Sequence, residues 1–173
     1  MTMDFLTVIK KRRSVRKYKS TPIPQPVLGR ILEAGRLAPS AKNVQPWRFI
    51  VITDDKTKRE LAKACNCQWF IAQAPIVICG VALAQSAYAR MGGYMSSFSV
   101  DLAIALDHII LAATNEGLGT CWIGAFTEKK VKDILGVPEG ARVVALTPIG
   151  YPAERVAATS RKRLSKIVSY DKF

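Results

Sequence analysis

The longest apolar pattern in the sequence predicts a helix from about Ser96 to Glu116. Its apolar residues surround almost the whole helix axis, so the helix must be covered on all sides and lie at the centre of the fold. A membrane helix needs about 20 consecutive apolar residues, whereas the run Leu102–Ala113 is shorter and contains Asp107 and His108. The pattern therefore favours the core helix of a globular protein. Its apolar residues are Val100, Leu102, Ile104, Leu106, Ile109 and Leu111.

Helical spacing of apolar residues predicts four more helices. The first carries Phe5, Leu6 and Ile9 on one face. An extended connector with three prolines precedes the second, because proline restricts the backbone and suits the first turn of a helix. The first of these helices is expected to begin at Thr2 or Asp4 and the second at Pro26. The third is expected to begin at Asp54 or Asp55 and the fourth at Thr127.

Strands are predicted between these helices. Trp47–Thr53 alternates and is rich in β-forming residues. Ala74–Leu83 is nearly all apolar, which indicates a buried strand. Arg142–Ile149 is a further strand, and Cys121–Phe126 is a short strand or a strand-like turn. Without a repeat or linker, residues 1–173 are expected to form one domain of mixed α and β structure.

Positive charge is concentrated near both ends of the sequence. The net charge is +13, and twelve of the 26 basic residues lie in residues 10–19 and 161–172. Two short basic segments of this kind can converge on one compact anion, in contrast to the basic stripe that suits a duplex.

Arg12-Arg13-Ser14-Val15-Arg16 supplies guanidinium groups and a hydroxyl, which bind phosphate well. In the second basic segment, Arg161 and Arg163 share one face if that segment is extended. Each segment taken alone fits a solvated basic stretch better than a phosphate site.

The loop from Ala38 to Pro46 is irregular and bracketed by prolines, and its serine and amide side chains can pair with the polar edge of a flat heterocycle. A simple turn is the alternative. Gly124 and Gly150 each lie among apolar residues near a strand end, where a missing side chain lets a ligand approach the backbone.

The sequence lacks the residues that several classes of enzyme require. His108 is the only histidine, and it falls in the apolar helix. No nucleophile elbow, zinc-protease motif, Walker loop or C-x-x-C pair occurs. We therefore expect a cofactor, with no metal site, to carry any chemistry. The early basic run follows too short an apolar stretch for a secretory signal, so a cytoplasmic protein is expected.

Six segments occur in a characteristic order: Arg12–Arg16, Ala38–Phe49, Ala74–Ile78, Gly117–Phe126, Pro148–Glu154 and Arg161–Val168. Together they resemble the FMN-dependent nitroreductase family, in particular its short members. The resemblance implies an α+β fold with three layers, α/β/α, around a central, mostly antiparallel sheet. It also implies an entwined homodimer with two FMN sites at the interface.

By position, the resemblance also implies which residues hold the flavin. The phosphate and ribityl chain are bound by Arg12, Arg13, Ser14 and Arg16. Arg161 and Arg163 form the second half of the phosphate clamp. The isoalloxazine ring faces Pro39, Ser40, Ala41 and Asn43 of the other subunit, with Gln45 nearby. The Gly124 N–H, next to Ile123, lies near flavin N5, Gly150 lies near the ring edge, and Asn66 or Gln68 bonds the pyrimidine ring.

The activity implied is that of an NAD(P)H:acceptor oxidoreductase. NADH or NADPH reduces FMN, and a small flat acceptor such as a nitroaromatic or quinone then occupies the same pocket, which gives ping-pong kinetics. A flavin-binding protein for storage, sensing or ferredoxin-linked reduction is the alternative. A basic nucleic-acid-binding protein is a third class, although we expect no nucleic-acid or membrane partner. Tyr88, Met91 and Tyr94 either line the substrate pocket or pack at an interface.

Overall fold

The computed structural model describes residues 3–173. The helices and strands in this part of the chain are α1 Phe5–Lys11, α2 Gln25–Arg36, β1 Trp47–Ile52, α3 Asp55–Ala64, α4 Phe70–Gln73, β2 Ile76–Ala82, α5 Phe98–Asn115, β3 Gly119–Thr120, α6 Glu128–Leu135 and β4 Arg142–Gly150. Short 3₁₀ turns lie at Ala41–Asn43 and Leu164–Lys166.

The strands form one sheet in the order β1-β2-β4-β3, and each neighbouring pair is antiparallel. All seven residues of β2 are buried. Val77 and Cys79 pack on one side of the sheet and Ile76 and Ile78 on the other, because side chains alternate along a strand. Both faces are therefore covered by helices, which confirms the α+β fold with an antiparallel sheet.

On one face of the sheet, α5 packs with α2. Leu102, Leu106 and Ile109 are fully buried, and burial of such a side chain contributes about 1.5–3 kcal/mol. By length and hydropathy α5 is also able to cross a membrane. However, eight of its eighteen residues are buried inside the chain, as in the core helix of a globular protein.

The prediction that α5 is covered on all sides is wrong for a single chain. Val100 is 37% exposed, and Ile104 and Leu111 are only half-buried. These residues form a stripe on the side of α5 that does not face the sheet. The apolar pattern is real, but within residues 3–173 one chain covers this stripe only in part, with α1 packed near Leu111.

The opposite face of the sheet carries α3, α4 and α6. Leu61, Ile71 and Val131 are fully buried there. Asp54 begins α3 as predicted, since its carboxylate accepts a hydrogen bond from Thr57 N at 2.7 Å. The four-residue helix α4 was not predicted, because it is too short to display helical spacing.

One of the two alternatives expected for residues 121–126 needs correction. Cys121–Phe126 is not a strand: pairing with β4 occurs earlier, at Gly119 and Thr120, and then only through a single bridge at Ile123. The α1 side chains Phe5, Leu6 and Ile9 are exposed, whereas Val8 is buried. Asp4 caps α1, and the alternative cap Thr2 lies outside the described residues.

Candidate functional site

The basic segment after α1 is docked on β3 in an extended conformation. Ser14 forms a parallel bridge with Thr120, and Val15 N donates to Thr120 O at 2.8 Å. Val15 is buried against Gly119, where an added Cβ would lie only 2.5 Å from Val15 Cγ2. Gly119 therefore allows the basic segment to lie close to the sheet.

Arg12, Ser14 and Arg16 share one side of this segment, since side chains alternate along an extended chain. Their common neighbour is Cys121, which is buried at the end of β3. Burial raises the pKa of the Cys121 thiol, and nearby Arg16, the Ser14 hydroxyl and Arg12 oppose that rise. The Arg16 guanidinium also lies over the Phe70 ring, 5.9 Å from its centroid. We call Arg12, Ser14 and Arg16 the basic cluster.

Arg13 does not belong to the basic cluster. Its Nη1 donates to Lys10 O at 2.6 Å and to Arg12 O at 2.8 Å, at the carbonyl end of α1. It lines a separate groove of about 600 Å³ together with Lys10 and Arg155. The structure thus places it on the opposite side of the segment from the other three predicted phosphate ligands.

The loop that follows Cys121 lies near the basic cluster. Ile123 is buried and exchanges two backbone hydrogen bonds with Leu146, at 2.8 and 3.1 Å. Gly124 is exposed, and a Cβ there would meet only Trp122, at 3.6 Å or more. Within residues 3–173 the Gly124 N–H has no acceptor. The Gly124 backbone is therefore open to a ligand.

Of the two candidate amides, Gln68 is committed to the protein itself. Its Nε2 donates to Cys65 O at 2.9 Å and to Ala125 O at 3.3 Å, so it ties the loop around Gly124 to the end of α3. Asn66 is exposed with a left-handed φ of 56°. Asn66 is thus the amide that remains available to a ligand.

Gly150 has an internal packing role. It is buried at the end of β4, where a Cβ would lie 2.5 Å from Pro75 Cδ and 3.1 Å from Tyr18 Cδ1. Close packing of the chain, instead of the ligand approach that we predicted, accounts for glycine at this position.

The second predicted ligand region, the loop between α2 and β1, is well ordered. Ser40 Oγ accepts from Gln45 N at 2.8 Å, and Gln45 Nε2 donates to Asn43 O at 3.0 Å. Ala41 N donates to the Asp101 carboxylate at 2.9 Å. Pro39 begins the loop and is exposed. We call residues 39–45 the α2–β1 loop.

The two regions lie at opposite ends of α5. Asp101, in the first turn, contacts the α2–β1 loop, whereas Gly117 and Gly119 lead from the last turn into β3 beside the basic cluster. Fourteen residues of helical rise between Asp101 and Asn115, the last residue of α5, correspond to about 21 Å. One chain therefore does not bring the two predicted halves of the site together.

The basic segment near the C-terminus is also separate in a single chain. Arg161 and Arg163 are exposed, and Arg161 donates only to Thr159 and Ser160. Within the described part of the chain, residues 159–173 make no hydrogen bond or ion pair to residues outside this tail.

Sequence reasoning missed three residues of these regions: Asp101, Cys121 and Phe70. An acidic residue near the start of an otherwise apolar helix was a usable signal for Asp101, because a buried carboxylate needs donors. Cys121 and Phe70 carried no such signal, since their position beside the basic cluster depends on contacts between distant segments.

Comparison with known proteins shows which family has this arrangement of segments. The sequence model of the nitroreductase family matches residues 9–78 and 66–151. This chain belongs to the nitroreductase family. The resemblance drawn from six ordered motifs is therefore confirmed.

Individual nitroreductase relatives match over almost the full length. A protein named NADH dehydrogenase from Thermus thermophilus is 33% identical and covers 96% of this chain and 95% of its own. The crystal structure of a nitroreductase family protein from Clostridium novyi NT is 41% identical, with a TM-score of 0.80 over 88% of this chain and 87% of that one. An FMN-dependent nitroreductase from Clostridium difficile R20291 is 30% identical, with a TM-score of 0.85 over 97% and 99% of the two chains. These structures confirm the nitroreductase fold.

Proposed function

We propose that this protein is an NAD(P)H-dependent FMN oxidoreductase of the cytoplasm that reduces small flat acceptors such as nitroaromatics or quinones. Its family and the names of its relatives, which include NAD(P)H nitroreductases and an FMN-dependent nitroreductase, support this class of activity. The chemical class of the acceptor and the ping-pong order are inferred from the resemblance.

The basic cluster is the observation that carries the proposal. Within residues 3–173, neither the Arg12 nor the Arg16 guanidinium donates a hydrogen bond to the protein or pairs with a carboxylate. Two unpaired guanidinium groups beside the Ser14 hydroxyl form a strong donor set for a phosphate dianion. These residues therefore fit the phosphate of FMN.

The neighbouring residues fit the remainder of the molecule. Ile123 holds its loop to β4, so the free N–H of Gly124 stays exposed on the same side of the protein as Asn66 and Gln68. When bound, FMN supplies the redox chemistry by accepting hydride from NADH or NADPH and reducing the acceptor. The chain's own contribution is to orient the ring through backbone and amide groups.

Acid–base side chains are not needed for this function, and the only histidine lies elsewhere. His108 Nδ1 is 3.3 Å from Ala34 O, between α5 and α2. It lines an apolar groove with Phe5 and Leu37, not the region of the basic cluster.

A homodimer is part of the proposal, because it brings the two ends of α5 into one site. The α2–β1 loop of a second copy would then face a ring whose phosphate is held by the first copy. The residues proposed to contact the ring are Pro39, Ser40, Ala41 and Asn43, with Gln45 nearby. Exposed apolar side chains on α1 and α5, such as Phe5, Leu6 and Val100, provide surface for such an interface.

Arg161 and Arg163 are proposed as the second half of the phosphate clamp. Both side chains are exposed in a single chain. They would reach the phosphate once the tail packs against the dimer. The apolar side chains of the tail, Leu164, Ile167 and Val168, are exposed here and would become buried at the same time.

The deciding experiment is the visible spectrum of the purified protein before and after anaerobic addition of NADH or NADPH. We expect bound FMN, loss of its long-wavelength absorbance on reduction, and its return when a quinone is added. Retention of the oxidised spectrum with both nucleotides would instead favour a flavin-binding protein without NAD(P)H turnover. Sedimentation of the FMN-bound protein as a 19.0 kDa monomer would contradict the dimer.

A further inference from the structure

Asp101 is a buried carboxylate in a helix that is otherwise strongly apolar. Its Oδ2 accepts from the Ser97 hydroxyl at 2.6 Å, and its Oδ1 accepts from Ala41 N–H at 2.9 Å. The first turn of a helix also favours a negative charge. Both oxygens are therefore satisfied, and one of them holds a loop sixty residues away in the sequence.

The loop that Asp101 holds has an unusual backbone. Lys42, Asn43 and Gln45 all have left-handed φ values, of 53°, 56° and 53°. Residues other than glycine rarely adopt this region, and such conformations persist only where the surroundings impose them.

Most hydrogen bonds that impose this conformation are internal to the loop. Ser40 Oγ and Asn43 O accept from Gln45. Among the side-chain hydrogen bonds described for the α2–β1 loop, only the bond from Ala41 N–H to Asp101 reaches outside it. Asp101 is thus the hydrogen-bond anchor that connects the loop to α5. Lys42 Nζ makes a second polar contact outside the loop, 4.7 Å from the centroid of the Tyr88 ring.

We infer that Asp101 is a positioning residue for flavin binding: it acts through the α2–β1 loop and serves the flavin whose phosphate is held by the other subunit. This inference rests on the proposed function, since it requires the loop to face a flavin ring. Asp101 itself is buried and does not touch the ligand.

The expected effect follows from the conformational equilibrium of the loop. If the anchor is removed, the loop occupies its binding conformation for a smaller fraction of the time, and the apparent affinity falls by that fraction. For a lost hydrogen bond to a charged group, we expect Asp101→Ala to weaken flavin binding about tenfold to a hundredfold. Because the loop faces the ring, FMN and riboflavin should weaken by the same factor.

Two control variants separate positioning from general stability. Asp101→Asn keeps an oxygen that can accept from Ala41 N–H, so it should restore binding to within about threefold of wild type. Leu106→Ala removes a fully buried side chain in the same helix, packed near Gly80 and not at the loop. It should lower the thermal unfolding temperature at least as much as Asp101→Ala does, with little change in flavin affinity.

Mixed dimers test which flavin Asp101 serves. One subunit carries Arg12→Ala, the other carries Asp101→Ala, and differently tagged chains are purified as a heterodimer. If the loop acts across the interface, one site contains both changes and the other contains neither. We then expect one high-affinity FMN per dimer and about half of the wild-type reduction rate, whereas each homodimeric variant lacks the high-affinity site.

The outcomes distinguish this inference from the proposed function. Binding of neither flavin by the wild-type protein would overturn the proposed function and with it the role of Asp101. Normal FMN binding by wild type together with unchanged binding by Asp101→Ala, or equal losses in Leu106→Ala, would overturn the positioning role alone. A mixed dimer without a high-affinity site would show that Asp101 serves a flavin in its own subunit, contrary to the inference.

Discussion

The two ends of α5 differ in how their polar groups are satisfied. At the C-terminal end, Arg12 and Arg16 point outward without acceptors in the described part of the chain. At the N-terminal end, Ser40 and Gln45 bond to each other or to their neighbours, and Asp101 anchors their loop. The first region presents donors that have no acceptor in residues 3–173, whereas the hydrogen bonds of the second are made within the chain.

This difference explains why charge alone is a poor guide to a site. Both basic segments have similar composition, but Arg12–Arg16 is docked on β3 whereas Arg161–Arg163 lies exposed. The α2–β1 loop, which has a single charged residue, Lys42, is held by more internal hydrogen bonds than the C-terminal basic segment. The predictions below therefore change one end of α5 at a time.

The largest effect is expected where the basic cluster meets the sheet. Gly119→Val places a side chain where Val15 already packs, since even a Cβ would lie 2.5 Å from Val15 Cγ2. Overpacking of this kind costs about 1–3 kcal/mol of stability, and it displaces the whole basic cluster, so FMN binding should be lost. Denaturant unfolding and FMN titration measure both effects. Gly29→Ala is the control, because nothing lies within 4 Å of that Cβ. Normal FMN affinity in Gly119→Val would show that the docking of this segment on β3 is unimportant.

A second prediction concerns the open backbone at Gly124. A branched side chain in Gly124→Val would crowd a flat ring placed against that N–H. A displacement of about 1 Å costs about a hundredfold in rate, so anaerobic stopped-flow reduction by NAD(P)H should slow by about that factor. The dimer should stay intact by sedimentation. Unchanged reduction kinetics would place the ring elsewhere.

A third prediction isolates the phosphate. Arg12→Ala and Arg16→Ala should each weaken FMN about tenfold to a hundredfold, as expected for a lost hydrogen bond to a charged partner. Riboflavin lacks the phosphate, so its binding should be weak in wild type and nearly unchanged in the variants. Arg59→Ala on the exposed side of α3 is a matched control. If riboflavin loses as much affinity as FMN, the basic cluster does not bind phosphate.

The fourth prediction tests whether the exposed tail binds the same phosphate as the basic cluster. Arg163→Ala alone should weaken FMN affinity by a similar factor. The double variant Arg12→Ala with Arg163→Ala should lose less binding free energy than the sum of the two single losses, because groups that share one ligand are coupled. Isothermal titration with all four proteins completes the double-mutant cycle. A solvated tail predicts that Arg161→Ala and Arg163→Ala leave FMN affinity unchanged.

The smallest effect concerns the ion pair at the C-terminal end of α5. Arg30 Nε and Nη2 donate to Glu116 at 2.7 and 2.8 Å, and this bond lowers the pKa of Glu116 below its ordinary value of 4.5. A lowered folded-state pKa stabilises the protein above pH 4.5, and this contribution is lost as the pH falls through the folded-state pKa. Glu116→Gln should therefore lower Tm by at most about 4 °C at neutral pH. The difference from wild type should disappear at pH values below the folded-state pKa of Glu116. A difference that persists there would mean that the carboxylate charge is not its cause.

Much of the fold follows from local patterns. The strands at Trp47–Ile52 and Ile76–Ala82 and the helices at Asp55–Ala64 and Phe98–Asn115 were predicted to within two residues at most ends, because apolar periodicity reflects which face is buried. Of the two alternatives predicted for residues 121–126, a short strand or a strand-like turn, the strand was wrong, because the pairing with β4 lies at Gly119 and Thr120, where Val15 from a distant segment packs.

By itself, the sequence determined the α+β class, the family and the residue types of the candidate site, since these depend on periodicity and on ordered local motifs. Tertiary structure alone decided that Arg13 turns away from Arg12, Ser14 and Arg16, and that Asp101 anchors the α2–β1 loop. It also decided that the two predicted halves of the site lie at opposite ends of α5, about 21 Å apart along its axis. The physical reason is that each of these facts depends on which distant segments pack together at each end of α5, and local residue patterns do not show that.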